Sequence, residues 1–137
     1  MCSIKSEVSV CGIILPVSAD EIFDFIVQVP NLRFWAKASD FSPSDDGWWS
    51  FTTPHGAARI KFHALRSHGI LDHEYHDNSG KWQVPMRAVP HQRGSYLALT
   101  LIKPAQMNPE KFFKTTQDVS SELKRLLQYF AEQDQSS

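Results

Sequence analysis

Apolar and polar residues alternate through the middle of the chain and give way to helical spacing near both ends. Residues 4–15 are rich in β-branched side chains and predict one long strand, ended by Pro16. A helix then starts at Ser18. Ser18 and Glu21 have the spacing of a capping box, with Val17 and Ile22 placed to staple it. Ile22, Phe25 and Ile26 form its apolar stripe, and Pro30 stops it. Residues 31–36 predict a short second helix that turns Phe34 and Trp35 into the core. At the other end, Asn108 suits an N-cap and Pro109 a first helical position, which predicts a long helix over 109–132. Phe112, Thr116, Val119, Leu123, Leu126 and Phe130 share one stripe of it. Lys114, Asp118, Ser121 and Arg125 fall on the opposite, solvated side.

Between the helices, residues 37–103 predict an antiparallel meander. Its turn signals are Asp45-Asp46-Gly47, Pro54-His55-Gly56, Asp77-Asn78-Ser79-Gly80 and Gln92-Arg93-Gly94. Register can be tested, because a slip of one residue turns every side chain over. A turn at Asn78-Ser79 sets Tyr75 opposite Trp82, His73 opposite Val84 and Leu71 opposite Met86. It leaves Glu74 opposite Gln83, and Asp72 diagonal to Arg87, on the outer face. A turn near Ser67-His68 sets Phe62 against His73, Ile60 against Tyr75 and Lys61 against Glu74. A turn at His55-Gly56 sets Trp49 beside Phe62 and Phe51 beside Ile60. The last hairpin, looping at 91–94, pairs Met86 with Leu99 and Ala88 with Leu97. All four registers agree on one apolar inner face: Trp49, Phe51, Ile60, Phe62, Leu71, His73, Tyr75, Trp82, Val84, Met86, Leu97, Leu99 and Leu101. Pro85 interrupts this pattern inside a strand, where it cannot donate to the ladder, and predicts a bulge that can shift pairing on one side.

Composition narrows the classes. The chain has 137 residues, with 42% hydrophobic and 21% charged residues, the size and mixture of one soluble globular domain spanning 1–137. A formal net charge of -1 creates no field for nucleic acid or an anionic membrane, so neither is expected as a partner. No apolar run reaches the length of a membrane span, and the first residues lack the regions of a signal peptide. Two cysteines, Cys2 and Cys11, make a poor disulfide framework. They read as inert thiols in a reducing cytoplasm.

The order of elements and several stretches together resemble a known superfamily. Residues 15–23 (LPVSADEIF) are similar to the approach to the first helix in the START/SRPBCC, or helix-grip, superfamily, which includes birch-pollen-allergen-like proteins. Residues 31–35 (NLRFW) resemble its second short helix. Residues 69–75 (GILDHEY), Val84-Pro85-Met86-Arg87, Gly94-Ser95 and Leu99-Thr100-Leu101 resemble its bacterial polyketide-cyclase-like branch. The resemblance implies an α+β fold: a curved seven-stranded antiparallel sheet wrapped around a long C-terminal helix, with two short helices after the first strand. It also implies a cavity for a hydrophobic or aromatic small molecule, although fold alone does not choose among carriers, cyclases and chaperone activators.

The pocket expected from the inner face has at least roughly 300 Å³, bounded by Trp49, Phe51, Phe62, His73, Tyr75, Trp82, Val84, Met86, Leu99 and Val119. His73 is the best candidate acid or base, since burial lowers an imidazole pKa toward a useful range. Tyr75 would orient a ligand. Each also has a plain structural reading, as a satisfied core histidine and a packed tyrosine. Asp72 and Arg87 form a surface ion pair unless Pro85 turns them inward. Alternation puts His63, His68 and His76 on the other face from His73, so no metal site is expected, nor any cofactor. Three functions remain open: binding of a hydrophobic small molecule, a cyclase or aromatase-type enzyme using His73, and a protein-interaction module of the chaperone-activator type. Exposed Trp48 and Phe113 would favour the last, or a homodimer over a monomer.

Overall fold

The computed structural model describes residues 2–4 and 7–136. The expected single strand over 4–15 is instead a hairpin, β1 Cys2–Ile4 antiparallel to β2 Val8–Leu15. Residue composition does not register that reversal, because both arms favour extended backbone. Cys2 and Cys11 sit opposite each other across it and are joined by a disulfide, so neither is the free thiol expected.

Helix α1, Ala19–Val27, starts where its cap predicts: Ser18 Oγ accepts from the Glu21 amide at 3.1 Å. A 3-10 helix, Val29–Phe34, follows with Pro30 in its first turn. It buries Trp35, as expected, but leaves Phe34 exposed. The tight 3-10 winding directs adjacent side chains to different sides, so only one of the pair reaches the core.

Seven more strands follow: β3 Ser39–Pro43, β4 Trp49–Thr53, β5 Gly56–Phe62, β6 His73–Asp77, β7 Gly80–Val84, β8 Met86–His91 and β9 Gly94–Ile102. All pairings are antiparallel, but the strands form a four-stranded sheet, β1-β2-β9-β8, and a five-stranded sheet, β3-β4-β5-β6-β7, in place of one seven-stranded sheet. Pro85 is the reason. The chain passes it from one sheet to the other, and the expected bulge is a change of sheet. The break is bridged by backbone bonds from Leu71 N to Met86 O (2.9 Å), Ala88 N to Gly69 O (2.9 Å) and Thr100 N to Pro85 O (2.9 Å). Gly69 is needed there: its φ is +64°, and a Cβ would stand 2.1 Å from the Ala88 carbonyl oxygen.

Three of the four registers match the expectation. Tyr75 faces Trp82, His73 faces Val84, Phe62 faces His73, Ile60 faces Tyr75, and Met86 faces Leu99. The fourth is two residues away: Trp49 faces Ile60 and Phe51 faces Ala58. The turn falls at Pro54-His55, where Thr53 Oγ1 accepts from the His55 amide at 3.1 Å and donates to the Gly56 carbonyl at 3.0 Å. An even slip leaves every side chain on its face, so the inner face is unchanged.

The long helix α2, Pro109–Ser136, runs one turn beyond the expected end. Asn108 Oδ1 caps it, accepting from the Lys111 amide at 2.8 Å. It packs on β1 and β2 through the expected stripe; Phe112, Thr116, Leu123, Leu126 and Phe130 are buried. With α1 they cover the concave face, where Leu71, Trp82, Val84, Met86, Leu97, Leu99 and Leu101 complete one core. A smaller core of Val29, Phe51, Ala58 and Ile60 lies beneath the 3-10 helix.

Candidate functional site

His73 and Tyr75 are alternate residues of β6, so both face inward. Phe62 lies beside His73 on β5, with ring centroids 5.0 Å apart, and Phe51 lies 6.1 Å from Tyr75. Phe62 and Tyr75 pack against both cores, and so mark the seam between them. Trp82, Val84, Met86 and Leu99 are buried in the larger core and Phe51 in the smaller, while Val119 and Trp49 pack at their edges. The structure therefore divides the expected pocket wall into two groups that meet at Phe62 and Tyr75. Trp82 stacks on Phe112 of α2, with centroids 6.2 Å apart.

The polar groups at this seam are unusually free. His73 Nδ1 bonds the Leu71 carbonyl at 3.0 Å. A carbonyl only accepts, so Nδ1 carries the proton and Nε2 keeps its lone pair. Among the described residues, neither Nε2 nor the Tyr75 hydroxyl has a hydrogen-bond partner. Burial holds His73 below the ordinary imidazole value, against the opposing pull of the Leu71 carbonyl. Burial likewise pushes the Tyr75 phenol well above its usual range, helped by the charges of Asp77 and Glu122.

Glu122 is the group that sequence reading missed. It sits on α2 facing the sheet, close enough for its charge to act on Tyr75. It forms no hydrogen bond or ion pair among the described residues. Burial pushes its carboxyl up to about 7, with Asp118 adding and Arg125 opposing. A signal was present: Glu122 is three residues after Val119 and four before Leu126, on the margin of the apolar stripe. Arg125 was also misplaced. It is half-buried, and its Nε donates to the Trp35 carbonyl at 3.0 Å.

Asp72 and Arg87 do not pair. Asp72 Oδ1 accepts from the Met86 amide at 2.8 Å, and Arg87 Nη2 donates to the His68 carbonyl at 3.0 Å. Pro85 supplies no amide, and Asp72 is drawn to the first one after it. Of the two outward aromatics, Phe113 is exposed, whereas Trp48 is covered by the Arg59 guanidinium, 4.1 Å from its ring centroid, and by His76.

Two open grooves reach the surface. One, of about 530 Å³, lies among Trp35, Lys37, Thr52, Pro54 and Arg125. The other, of about 850 Å³, lies between α1 and the end of α2, beside Phe25, Tyr129 and Phe130. Neither is lined by the expected inner-face residues. No helix among the described residues is long and apolar enough to cross a membrane.

The sequence matches no protein-family model and no curated protein. Solved structures do match. A START superfamily protein from Mycobacterium smegmatis superposes with a TM-score of 0.71 at 10% identity, covering 92% of this chain and 98% of that one. A protein from Bacillus thuringiensis gives 0.73 at 11% identity, over 90% and 98%. Ara h 8.0201 gives 0.69 at 11% identity, over 91% and 97%. Identities this low speak for architecture alone, and the architecture is plain: this chain has the helix-grip fold of the START superfamily.

Proposed function

We propose that the chain binds a hydrophobic or aromatic small molecule between the concave sheet face and α2. One polar end of the ligand is held by His73 Nε2, the Tyr75 hydroxyl and Glu122. The observation that carries this reading is the set of three partnerless polar groups on an otherwise apolar face. Ligand sites are apolar surfaces with a few polar atoms left free to bind. Trp82 and Phe112 stack across the space, so the ligand enters by parting α2 from the sheet. The stretches resembling polyketide-cyclase-like proteins agree with an aromatic ligand, whereas the Cys2–Cys11 disulfide weighs against the reducing cytoplasm that the small number of cysteines suggested.

Tryptophan fluorescence tests the reading. Aromatic and fatty ligands should quench it on binding and raise the melting temperature. Trp82→Phe should reduce the quenching, and His73→Ala should weaken binding of ligands with a polar end without unfolding the protein. A panel that neither quenches nor stabilises would defeat the proposal.

Glu122 favours a second reading, an enzyme of cyclase or aromatase type. A carboxyl that titrates at about 7 beside a phenol can both give and take a proton at neutral pH, and His73 supplies a neutral base on the same face. Turnover of a bound polyketide-like substrate that is lost in both Glu122→Gln and His73→Gln, with binding retained, would favour the enzyme over the carrier.

A further inference from the structure

The groove of about 530 Å³ is bordered by three cationic residues, Arg33, Lys37 and Arg125, and by no acidic one. In a chain with a formal net charge of -1 this is a local concentration of one sign. None of the three forms an ion pair among the described residues. Two are held in place by uncharged partners. Arg125 donates through Nε to the Trp35 carbonyl, which leaves its two Nη groups free, and the Arg33 guanidinium lies 5.0 Å from the Phe34 ring centroid. A guanidinium fixed in this way presents a planar fork to a carboxylate or phosphate at little further entropic cost.

The groove also lies beside Glu122 of the inner site. Arg125 follows Glu122 by three residues on α2, so the two are neighbours on one face of the helix. Trp35, whose carbonyl fixes Arg125, is itself a buried member of the larger core. Glu122 and the groove therefore share one stretch of α2.

We propose that this groove is an anion-accepting mouth. It binds a carboxylate or phosphate on the outer end of the ligand whose apolar body lies between α2 and the sheet. The ligand class is then an amphipathic organic anion, with one end in the inner site and a charged end between Arg33, Lys37 and Arg125. This rests on the binding reading above, and the test separates the two.

Three probes with one apolar body are titrated into the full chain: 6-phenylhexan-1-ol, 6-phenylhexanoate and 6-phenylhexyl phosphate. Each is followed by tryptophan fluorescence. The alcohol tests the inner site alone. At least one of the two anions should bind about tenfold tighter than the alcohol, as expected for charge-assisted bonds to a guanidinium. Which anion gains more tells carboxylate from phosphate. In Arg33→Gln/Lys37→Gln, both exposed positions, the preference should fall about fivefold and should fall further in raised salt. In Arg125→Met it should disappear. Should loss of the Trp35 bond unfold that variant, the double variant decides alone. Equal binding of alcohol and anions by the unmodified protein would overturn the mouth and leave the inner site standing. A preference that survives the double variant would also overturn it. Failure of all three probes to bind would defeat both readings.

Discussion

Asp72 Oδ1 accepts the amide proton of Met86 at 2.8 Å, across the point where Pro85 breaks the sheet. Met86 is 2% exposed, so its amide has no ready access to water. Replacing Asp72 with Ala should leave that donor unsatisfied and destabilise the fold by about 1–3 kcal/mol. Asp72→Asn keeps an acceptor and should lose less than half as much. Urea unfolding of both variants measures this, and equal losses would mean that the charge, and not the acceptor, matters.

Leu123 lies at the centre of the α2 stripe and is fully buried. Leu123→Ala should cost roughly 2–5 kcal/mol, the range for large-to-small core changes. A change below about 0.5 kcal/mol, typical of surface positions, would show that α2 does not seat on the sheet as described.

Glu122 makes stability depend on pH in an unusual direction. Burial pushes its folded carboxyl up to about 7, above the ordinary value of 4.5. Between those values the folded state holds more protons than the unfolded state, so stability falls as pH rises. The contribution of this group is fully present below about pH 4.5 and lost above about pH 7. Glu122→Gln removes the dependence. It should be about 1–3 kcal/mol more stable than the unmodified protein at pH 8, with little difference at pH 4.5. Paired urea titrations at the two pH values give the answer, and a constant difference would mean that the carboxyl is open to water. A ligand that hydrogen-bonds Glu122 should also bind with a pH midpoint near that of the carboxyl.

His73 acts with the opposite sign. Its folded value is depressed by burial, so the unfolded state binds its proton first as pH falls. Stability is lost as pH drops from the unfolded value of 6.5 toward the folded one. His73→Gln should flatten that acid limb. If the limb persists unchanged, another group is responsible.

The Cys2–Cys11 disulfide closes a loop with a sequence separation of 9. Chain entropy for a loop this short gives roughly 2–3 kcal/mol. Cys2→Ser/Cys11→Ser, or reduction with dithiothreitol, should lower the unfolding midpoint by that amount while leaving β2 paired to β9. Free-thiol titration of the protein from its source shows whether the pair is oxidised there, and so whether its compartment is reducing.

Much of this fold was legible in the residues. Ser18 and Asn108 announce their helices because caps are local: the side chain and the amides it satisfies lie within one turn. The registers of β5 with β6, β6 with β7 and β8 with β9 were legible because the turns are short and alternation is strict. The β4–β5 turn lies one residue earlier than expected, and the register two residues away, because Pro54-His55 and His55-Gly56 satisfy the same alternation and only the Thr53 hydroxyl bonds choose between them. Phe34 was placed inside because it is apolar, yet its exposure depends on how the 3-10 helix meets the sheet.

The residues of this chain determine, by themselves, which segments are helix or strand and which face of each is apolar, since both follow from periodicity and local bonds. They also determine that the inner face carries His73 and Tyr75. Only the tertiary structure decided that Pro85 divides the strands into two sheets, that Cys2 meets Cys11, and that Asp72 turns to Met86 and not to Arg87. It alone decided that Glu122 is partly buried and Arg125 tied to Trp35. These two residues stand at the margin of the α2 stripe, where the side of the boundary on which a side chain falls depends on how deeply the helix seats in the sheet. That depth is a property of packing between distant segments, and no local pattern in the chain encodes it.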